Sequence, residues 1–138
     1  MARTIWGEAR GEGQAGMEAV ACVIVNRALN PGWWGRGVAG VCQAPSQFSC
    51  WNQGDPNRAK LLAVTSGNTQ FDQCRGIAIR AMARAYPDPT NNADSYYDTS
   101  IRPPKWSIGK IPSAMIGKFH FFRLYLPAPA TTVGGGDA

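Results

Sequence analysis

Glu8 lies near the end of a short apolar segment, beside Trp6. We expect residues 3–10 to form a short helix, and the C-terminal end of a helix carries partial negative charge. That charge and the apolar neighbours both favour a protonated carboxyl group. Such a group can donate its proton to a leaving-group oxygen as a general acid. The same residues also fit a surface glutamate paired with Arg3 or Arg10, and both interpretations stay open on these features alone.

Glu12 is a second carboxylate, four residues after Glu8. In one continuous helix the two side chains would share a face. Gly11 and Gly13 instead separate two helices, which places Glu12 at the start of the second one. A carboxylate there interacts favourably with the helix N-terminus. We therefore expect Glu12 to be mainly structural.

Amide and aromatic side chains occur together at Gln47 and Phe48, in a loop that continues into Trp51. Such groups suit a sugar-binding cleft, and they equally suit an aromatic plug over the core. Tyr96 and Tyr97 are adjacent on a predicted strand, so their side chains point to opposite faces. We expect one tyrosine in the core and the other near a cleft.

His120 is the only histidine, so a nucleophilic triad would have to use it. Ser46, Ser49 and Cys50 are available nucleophiles, but none lies in a Gly-x-Ser-x-Gly motif. The glycines at 134–136 follow no predicted strand, which argues against a phosphate loop. We predict no cofactor and no metal site, because one histidine and no Cys-x-x-Cys pair cannot complete a metal centre.

The four cysteines are Cys22, Cys42, Cys50 and Cys74. Cys42 and Cys50 flank a short loop and could form a disulfide, and buried free thiols are the alternative.

The positions of apolar residues, glycines and prolines predict an α+β domain. Helices come first and short strands follow. The predicted helices are 3–10, 14–29, 55–65 and 70–86, the predicted strands are 93–99 and 119–126, and residues 31–57 are expected to form a long loop with a helical turn near 38–42.

The formal net charge of +5 suits an anionic partner, either nucleic acid or the bacterial wall. No cluster of Lys and Arg indicates a nucleic-acid-binding arm. No window approaches the length of an apolar membrane span. We expect a monomer with no nucleic-acid partner and no stable membrane insertion, and we keep a non-catalytic binding module as the alternative from another functional class.

A series of motifs resembles the SleB-type cell-wall hydrolases, which include the catalytic domains of spore-cortex-lytic enzymes and many phage endolysins. The resemblance spans roughly residues 3–126. Its motifs are, in order, IWGEARGE at 5–12, VNR at 25–27, QFSCWN at 47–52, DPNRA at 55–59, DPT at 88–90, YY at 96–97, PKW at 104–106 and IG at 116–117. The QFSCWN and DPNRA motifs are most similar to those of phage and prophage members.

The resemblance implies a lysozyme-like α+β fold, mainly helical with a small antiparallel sheet, in a catalytic domain over residues 1–127 followed by a flexible tail at 128–138. It implies cleavage of the β-1,4 bond between N-acetylmuramic acid and N-acetylglucosamine in peptidoglycan. The family's catalytic glutamate is the first of the GEARGE motif, which is Glu8. Characterised members act as lytic transglycosylases. The implied substrate-binding residues are Gln47, Phe48, Tyr96, Tyr97 and His120.

Ordinary glycoside hydrolysis uses two carboxylates at a set separation, whereas a transglycosylase needs one. Only Glu8 is well placed by sequence, which favours the transglycosylase. A muramidase that uses water and a second carboxylate, Glu12 or Asp94, is the alternative.

Two departures from the family pattern concern the sheet. Phage members commonly carry a histidine two residues after the Ile-Gly pair, whereas His120 comes one place later, and a shift of one residue on a strand reverses the face. Asn91 and Asn92 replace a Gly-Gly pair, and asparagine tolerates the left-handed backbone that such a turn uses.

Residues 1–4 lack the apolar core of a signal peptide. A phage endolysin of this kind would collect in the host cytoplasm and reach the periplasm and cell wall after the membrane is opened.

Overall fold

The computed structural model of the chain describes residues 1–45 and 47–129. This part of the chain forms five α-helices followed by a three-stranded antiparallel sheet, which confirms the predicted α+β class. The helices are α1 (Ala2–Ala9), α2 (Gly13–Leu29), α3 (Gly37–Gln43), α4 (Pro56–Ala63) and α5 (Thr69–Met82), the strands are β1 (Ser95–Asp98), β2 (Ala114–Ile116) and β3 (Phe119–Phe122), and two short 3₁₀ helices cover Ser49–Trp51 and Lys105–Ser107.

Helix α2 is the centre of the domain. Its side chains are apolar on nearly every side, and Val20, Val23 and Ile24 are fully buried. A helix that is apolar all round has to be covered by neighbours. Helices α1, α3 and α5 pack against it. Each buried Val or Ile contributes about 1.5–3 kcal/mol relative to an exposed one, so this helix accounts for much of the core.

Side-chain caps fix where α4 and α5 begin. The Asp55 carboxylate accepts a hydrogen bond from the Asn57 backbone N–H at 2.8 Å, and Pro56 occupies the first turn, where its missing N–H costs nothing. Asn68 accepts in the same way from the Phe71 N–H at 2.9 Å. The prediction placed the start of both helices within one residue.

The sheet has strand order β1-β3-β2 and two unlike faces. Tyr96 pairs with Phe121, and Asp98 pairs with Phe119, so these four residues share one face. A Cβ at Gly16 of α2 would lie 3.6 Å from the Phe119 ring, so this face packs against the helices. The opposite face carries Tyr97, His120 and Phe122, and Trp106 lies against it at 5.3 Å from the Phe122 ring centroid.

Three predicted features differ from the structure. Helix α5 ends at Met82 rather than 86, because Arg84 takes a left-handed conformation with φ of 54° that a helix cannot continue. Strand β2, only three residues long, was missed. The predicted strand 119–126 ends at Phe122, because the next segment turns to bind the Asp94 carboxylate.

The remaining expectations about the chain have mixed outcomes. Asn91 and Asn92 are left-handed, with φ of 57° and 66°, as the sequence predicts for that turn. The four cysteines are buried free thiols, so the disulfide considered between Cys42 and Cys50 is absent. The predicted flexible tail falls largely on residues 130–138, which lie outside the described residues. Among the described residues no helix is long and apolar enough to cross a bilayer.

Candidate active site

A cleft of about 550 Å³ lies between the end of α1, the loop at 47–49 and strand β1. Five of the six predicted site residues line it, namely Glu8, Gln47, Phe48, Tyr96 and Tyr97. Residues that are distant in the sequence therefore meet in a single groove of the size that small-molecule and sugar sites use.

The defining contact of the cleft joins Glu8 to Tyr96. The Tyr96 hydroxyl donates a hydrogen bond to Glu8 Oε1 at 2.6 Å. The tyrosine ring is fixed by Phe119 and Phe121, whose ring centroids lie 5.2 and 5.6 Å away. Burial, and then the neighbouring Glu8 carboxylate, raise the pKa of the Tyr96 hydroxyl well above its usual value. The Tyr96 hydroxyl therefore remains protonated, and able to donate to Glu8, at neutral pH.

Gly7 brings the end of α1 close to the 3₁₀ helix Ser49–Trp51. A Cβ at Gly7 would lie 3.0 Å from the Cys50 side chain and 3.1 Å from Leu61, so only glycine allows this approach without a shift. Cys50 is thereby placed against Glu8. Burial, followed by the Glu8 charge, raises the pKa of the Cys50 thiol. The thiol stays protonated and unreactive beside the carboxylate.

Two further contacts fasten the surrounding loops to α1. Trp51 Nε1 donates to the buried Thr4 hydroxyl at 2.8 Å. Arg10 stacks over the Trp6 ring at 4.2 Å and donates to Asn57 Oδ1 at 2.8 Å. These contacts hold the segment at 51–57, on one side of the cleft, against α1.

Neither arginine near Glu8 in the sequence pairs with it. Arg10 binds Asn57, and Arg3 donates to the Leu61 and Val64 carbonyls at 2.5 and 2.6 Å. The ion pairs among the described residues do not include Glu8. The alternative prediction, a surface Glu8 paired with Arg3 or Arg10, is therefore wrong.

Arg27 is a buried cation on the cleft wall. It belongs to the VNR motif at 25–27, but it was not predicted as a site residue. Its Nε donates to the Asp94 carbonyl at 2.7 Å, and Nη1 donates to Gln47 Oε1 at 3.4 Å. Its guanidinium also packs against the rings of Trp34 and Phe48, at 5.6 and 5.5 Å. Burial lowers the pKa of Arg27, but an arginine so placed remains charged. Arg27 orients Gln47 and supports Phe48, so the 47–48 segment both lines the cleft and closes the core.

The two carboxylates considered from the sequence as partners for Glu8, Asp94 and Glu12, are engaged elsewhere. Asp94 is fully buried, and its oxygens accept hydrogen bonds from Ser95 Oγ and from three backbone N–H groups at 124–126, at 2.8–3.1 Å. Glu12 forms an ion pair with Lys118 at 3.5 Å. Neither residue lines the cleft.

Asp98 is the carboxylate that does line the cleft together with Glu8, and no motif or spacing in the sequence singles it out. It shares a face of β1 with Tyr96. Its Oδ1 accepts the Ser100 backbone N–H at 2.8 Å. That hydrogen bond, assisted by Lys118, lowers the pKa of the Asp98 carboxyl group, so Asp98 is ionised at neutral pH.

His120 lies outside the cleft lining. It is on the face of β3 opposite Phe119 and Phe121, and its ring meets Tyr97 edge-on at 5.8 Å. This is the reversal of face that the shift of one residue predicts. The predicted contact of His120 with substrate stays a prediction, since His120 touches the cleft lining through Tyr97 and does not itself line the cleft.

Four aromatic residues that line the cleft were also missed: Trp33, Trp106, Phe119 and Tyr125. The adjacent tryptophans at 33 and 34, in a loop rich in glycine, were the available signal. Nothing in the sequence shows that the indole of Trp33 is exposed while that of Trp34 is buried.

A larger cavity of about 760 Å³ lies elsewhere, between α2 and the turn at 84–92. Its carboxylate, Asp88, already accepts hydrogen bonds from Asn26, Asn92 and both Thr90 donors at 2.7–3.0 Å. A carboxylate so fully engaged is not available for proton transfer, so the smaller cleft is the candidate active site.

Comparison with known proteins places the domain among enzymes of the bacterial wall. The model of the cell wall hydrolase family matches residues 11–122. The spore cortex-lytic enzymes of Bacillus subtilis and Bacillus cereus are each 32% identical over 126 residues, which is 88% of this chain and 35% and 42% of theirs. The chain thus spans between a third and a half of the length of these curated relatives.

Solved structures show the same fold. The catalytic domain of the Bacillus cereus SleB protein superposes with a TM-score of 0.69 at 28% identity, covering 88% of this chain and 84% of the other. The catalytic domain of the germination-specific lytic transglycosylase SleB from Bacillus anthracis gives 0.68 at 28% identity, covering 88% of both chains.

The helices, the small antiparallel sheet and the cleft between them define a lysozyme-like α+β domain. The chain belongs to the cell wall hydrolase family. The family match begins three residues after Glu8, so the function of Glu8 has to be inferred from the geometry of the cleft.

Proposed function

We propose that this protein cleaves the β-1,4 bond between N-acetylmuramic acid and N-acetylglucosamine in peptidoglycan, as a lytic transglycosylase with Glu8 as its only acid and base. The observation that carries the proposal is the position of Glu8 on the wall of a groove, with Oε1 held by Tyr96. Membership of the cell wall hydrolase family supports the substrate.

In the first step Glu8 gives its proton to the glycosidic oxygen as the bond from that oxygen to the muramic acid C1 breaks. The N-acetylglucosamine leaves with a new hydroxyl group, and Glu8 is left as a carboxylate. Tyr96 stabilises this carboxylate because its hydroxyl remains a donor.

In the second step the Glu8 carboxylate takes the proton from the C6 hydroxyl of the same muramic acid, whose oxygen attacks C1. The product is a 1,6-anhydro sugar, and Glu8 is protonated again. The substrate supplies the nucleophile, so neither water nor a second carboxylate enters the reaction. The engagement of Asp94 and Glu12 elsewhere in the fold supports this route.

A muramidase is the second candidate, and Asp98 is the observation in its favour. An ionised carboxylate on the same cleft could activate water or stabilise a positively charged transition state. Product mass separates the two reactions, because an anhydro end is lighter than a hydrolysed end by one water. The test is digestion of purified peptidoglycan followed by mass spectrometry of the fragments. Anhydro ends are expected, and reducing ends alone would replace the transglycosylase by the muramidase.

A binding module without catalysis is the candidate from another class, suggested by the net charge of +5. Glu8→Gln separates it from the enzyme, because a binder keeps its function when one cleft carboxyl is made neutral. The enzyme should lose lysis while it still folds and sediments with cell walls.

We also propose that the protein acts as a phage endolysin, which the QFSCWN and DPNRA motifs support. Expression of this chain in the bacterial cytoplasm should then leave cells intact until the membrane is opened, for example with chloroform. Lysis without chloroform would contradict the proposal that the protein stays in the cytoplasm until the membrane is opened.

A further inference from the structure

We propose that Trp33 and Tyr125 form a sugar-stacking subsite that binds an N-acetylated ring of the glycan strand beside the bond that Glu8 cleaves. This inference rests on the proposed substrate and adds the residues that hold the strand in the groove.

The two side chains are large, apolar and exposed. Trp33 is 59% exposed and Tyr125 is 61% exposed, yet their ring centroids are only 5.6 Å apart, with the planes at 69°. Both line the cleft that contains Glu8. An exposed aromatic pair within a groove is typical of a ligand-binding surface, since little of its area contributes to the core.

Several contacts hold the backbone next to Trp33 in place. Its neighbour Trp34 is only 3% exposed, and Trp34 Nε1 donates to the carbonyls of Arg27 and Asn30 at 3.0 and 2.9 Å. Gly35 closes the turn at φ of 110°, where a Cβ would come within 2.7 Å of the Gly40 carbonyl oxygen. Trp33 is thus held at the rim of the groove by neighbours that cannot easily move.

Tyr125 is held from the other side by Asp94. The Tyr125 backbone N–H donates to Asp94 Oδ2 at 2.9 Å, and Asp94 directly precedes β1. The subsite therefore lies toward the Ser95 end of the strand from which Tyr96 binds Glu8. Because these contacts hold the backbone beside both aromatic residues, binding has less ordering of the two loops to offset.

The chemistry of the pair indicates its ligand. Aromatic faces pack against the C–H face of a sugar ring, and no charge is required. Binding through this subsite should therefore depend little on salt, unlike attraction between the basic surface and wall anions. Glycan strands freed of their peptides keep the sugar rings and lose the charges of the peptides, while each muramic acid keeps one lactyl carboxylate. They are therefore the appropriate probe when binding is compared at low and high salt, which separates stacking from attraction to that carboxylate.

The experiment measures binding of amidase-treated peptidoglycan glycan strands to the intact chain carrying Glu8→Gln, by calorimetry at low and high salt. Adding Trp33→Ala should weaken binding roughly ten-fold, and adding Tyr125→Ala somewhat less, at both salt concentrations. Trp33→Phe should restore most of the affinity. Ile79→Ala serves as the control, because Ile79 is 65% exposed on α5 and does not line the cleft.

Three results would overturn the subsite. They are equal affinity with and without the Trp33 indole, a loss of affinity seen only at low salt, and no binding of the strands at all. Cleavage of purified peptidoglycan by the protein that keeps Glu8 is measured in parallel. Cleavage without any effect of Trp33→Ala on binding rejects the subsite alone. Absence of cleavage rejects the proposed function, while the binding comparison still decides the subsite.

Discussion

Glu8 and Asp94 are two carboxylates that differ in burial and in the number of hydrogen-bond donors around them. Asp94 is fully buried and accepts hydrogen bonds from one hydroxyl and three backbone N–H groups. Glu8 is only partly buried, faces a cleft and receives its hydrogen bond from Tyr96. A carboxylate surrounded by fixed donors stabilises the fold, whereas one held by a single donor beside open space can exchange a proton.

Glu8→Gln tests whether Glu8 is the residue that transfers the proton, and it should have the largest effect on activity. Glutamine keeps the shape and the bond from Tyr96 but cannot transfer a proton, so glycan cleavage should fall on the order of 10³-fold. The unfolding midpoint should change little. Activity is measured by release of soluble fragments from purified walls, and stability by thermal melting.

Glu18→Gln is the matched control, since Glu18 lies on α2 in an exposed pair with Arg80 and outside the cleft. A Glu8→Gln protein with near-normal cleavage would show that another residue carries the proton.

The converse substitution, Asp94→Asn, should damage the fold more than the chemistry. The new amide N–H₂ would face backbone donors at 124–126, which leaves buried groups unpaired. We expect a loss of about 2–4 kcal/mol in the free energy of unfolding. The melting temperature should fall by roughly 10 °C. Asp98→Asn, at a partly exposed position, should change it far less, and equal effects would contradict the structural function of Asp94.

Tyr96→Phe tests the single donor that distinguishes Glu8. A hydrogen bond to a charged group contributes about 1.5–3 kcal/mol, so kcat should fall roughly 10- to 100-fold with little change in KM. Because the pKa of Tyr96 is raised, its ionisation should add no alkaline fall in activity below about pH 10. Ionisation of Tyr96 should therefore contribute no difference between the pH profiles of the two proteins up to that pH.

Tyr86→Phe removes a similar hydroxyl, bound to the Glu18 carbonyl at 2.8 Å, away from the cleft. This control should lower stability slightly and leave kcat unchanged. A kcat for Tyr96→Phe equal to that of this control would mean that the hydroxyl does not position Glu8.

The local parts of this architecture could be predicted from the sequence. The caps at Asp55 and Asn68 and the apolar residues of α2 depend on neighbours within a few positions, and the helices formed as expected. Strand β2 could not be found in the same way, because three residues carry too little periodicity and the strand depends on β3 for its partners.

The parts of the site that depend on long-range contacts could not be predicted. Tyr96 reaches Glu8 across 88 positions of the sequence. Asp94 and Asp98 are four residues apart, yet one is enclosed by a segment 30 residues further on and the other is left in the cleft. The resemblance supplied the position of Glu8, but only packing separates the two aspartates.

Asp98→Asn should have the smallest effect on activity, because Asp98 shares one feature with Asp94 and one with Glu8. It has one backbone donor, like a structural carboxylate, and it lines the cleft with Glu8. The lowered pKa means that Asp98 loses its charge only at a lower pH than an ordinary aspartate, so the charge is present in assays near neutral pH. If the muramic acid C6 hydroxyl is the nucleophile, Asp98→Asn should change the rate less than about three-fold and leave anhydro ends as the product. A rate reduced 100-fold, together with the loss of a water-derived product, would instead assign Asp98 as the second carboxylate of a hydrolase, and the mass spectrum of the digest distinguishes the two outcomes.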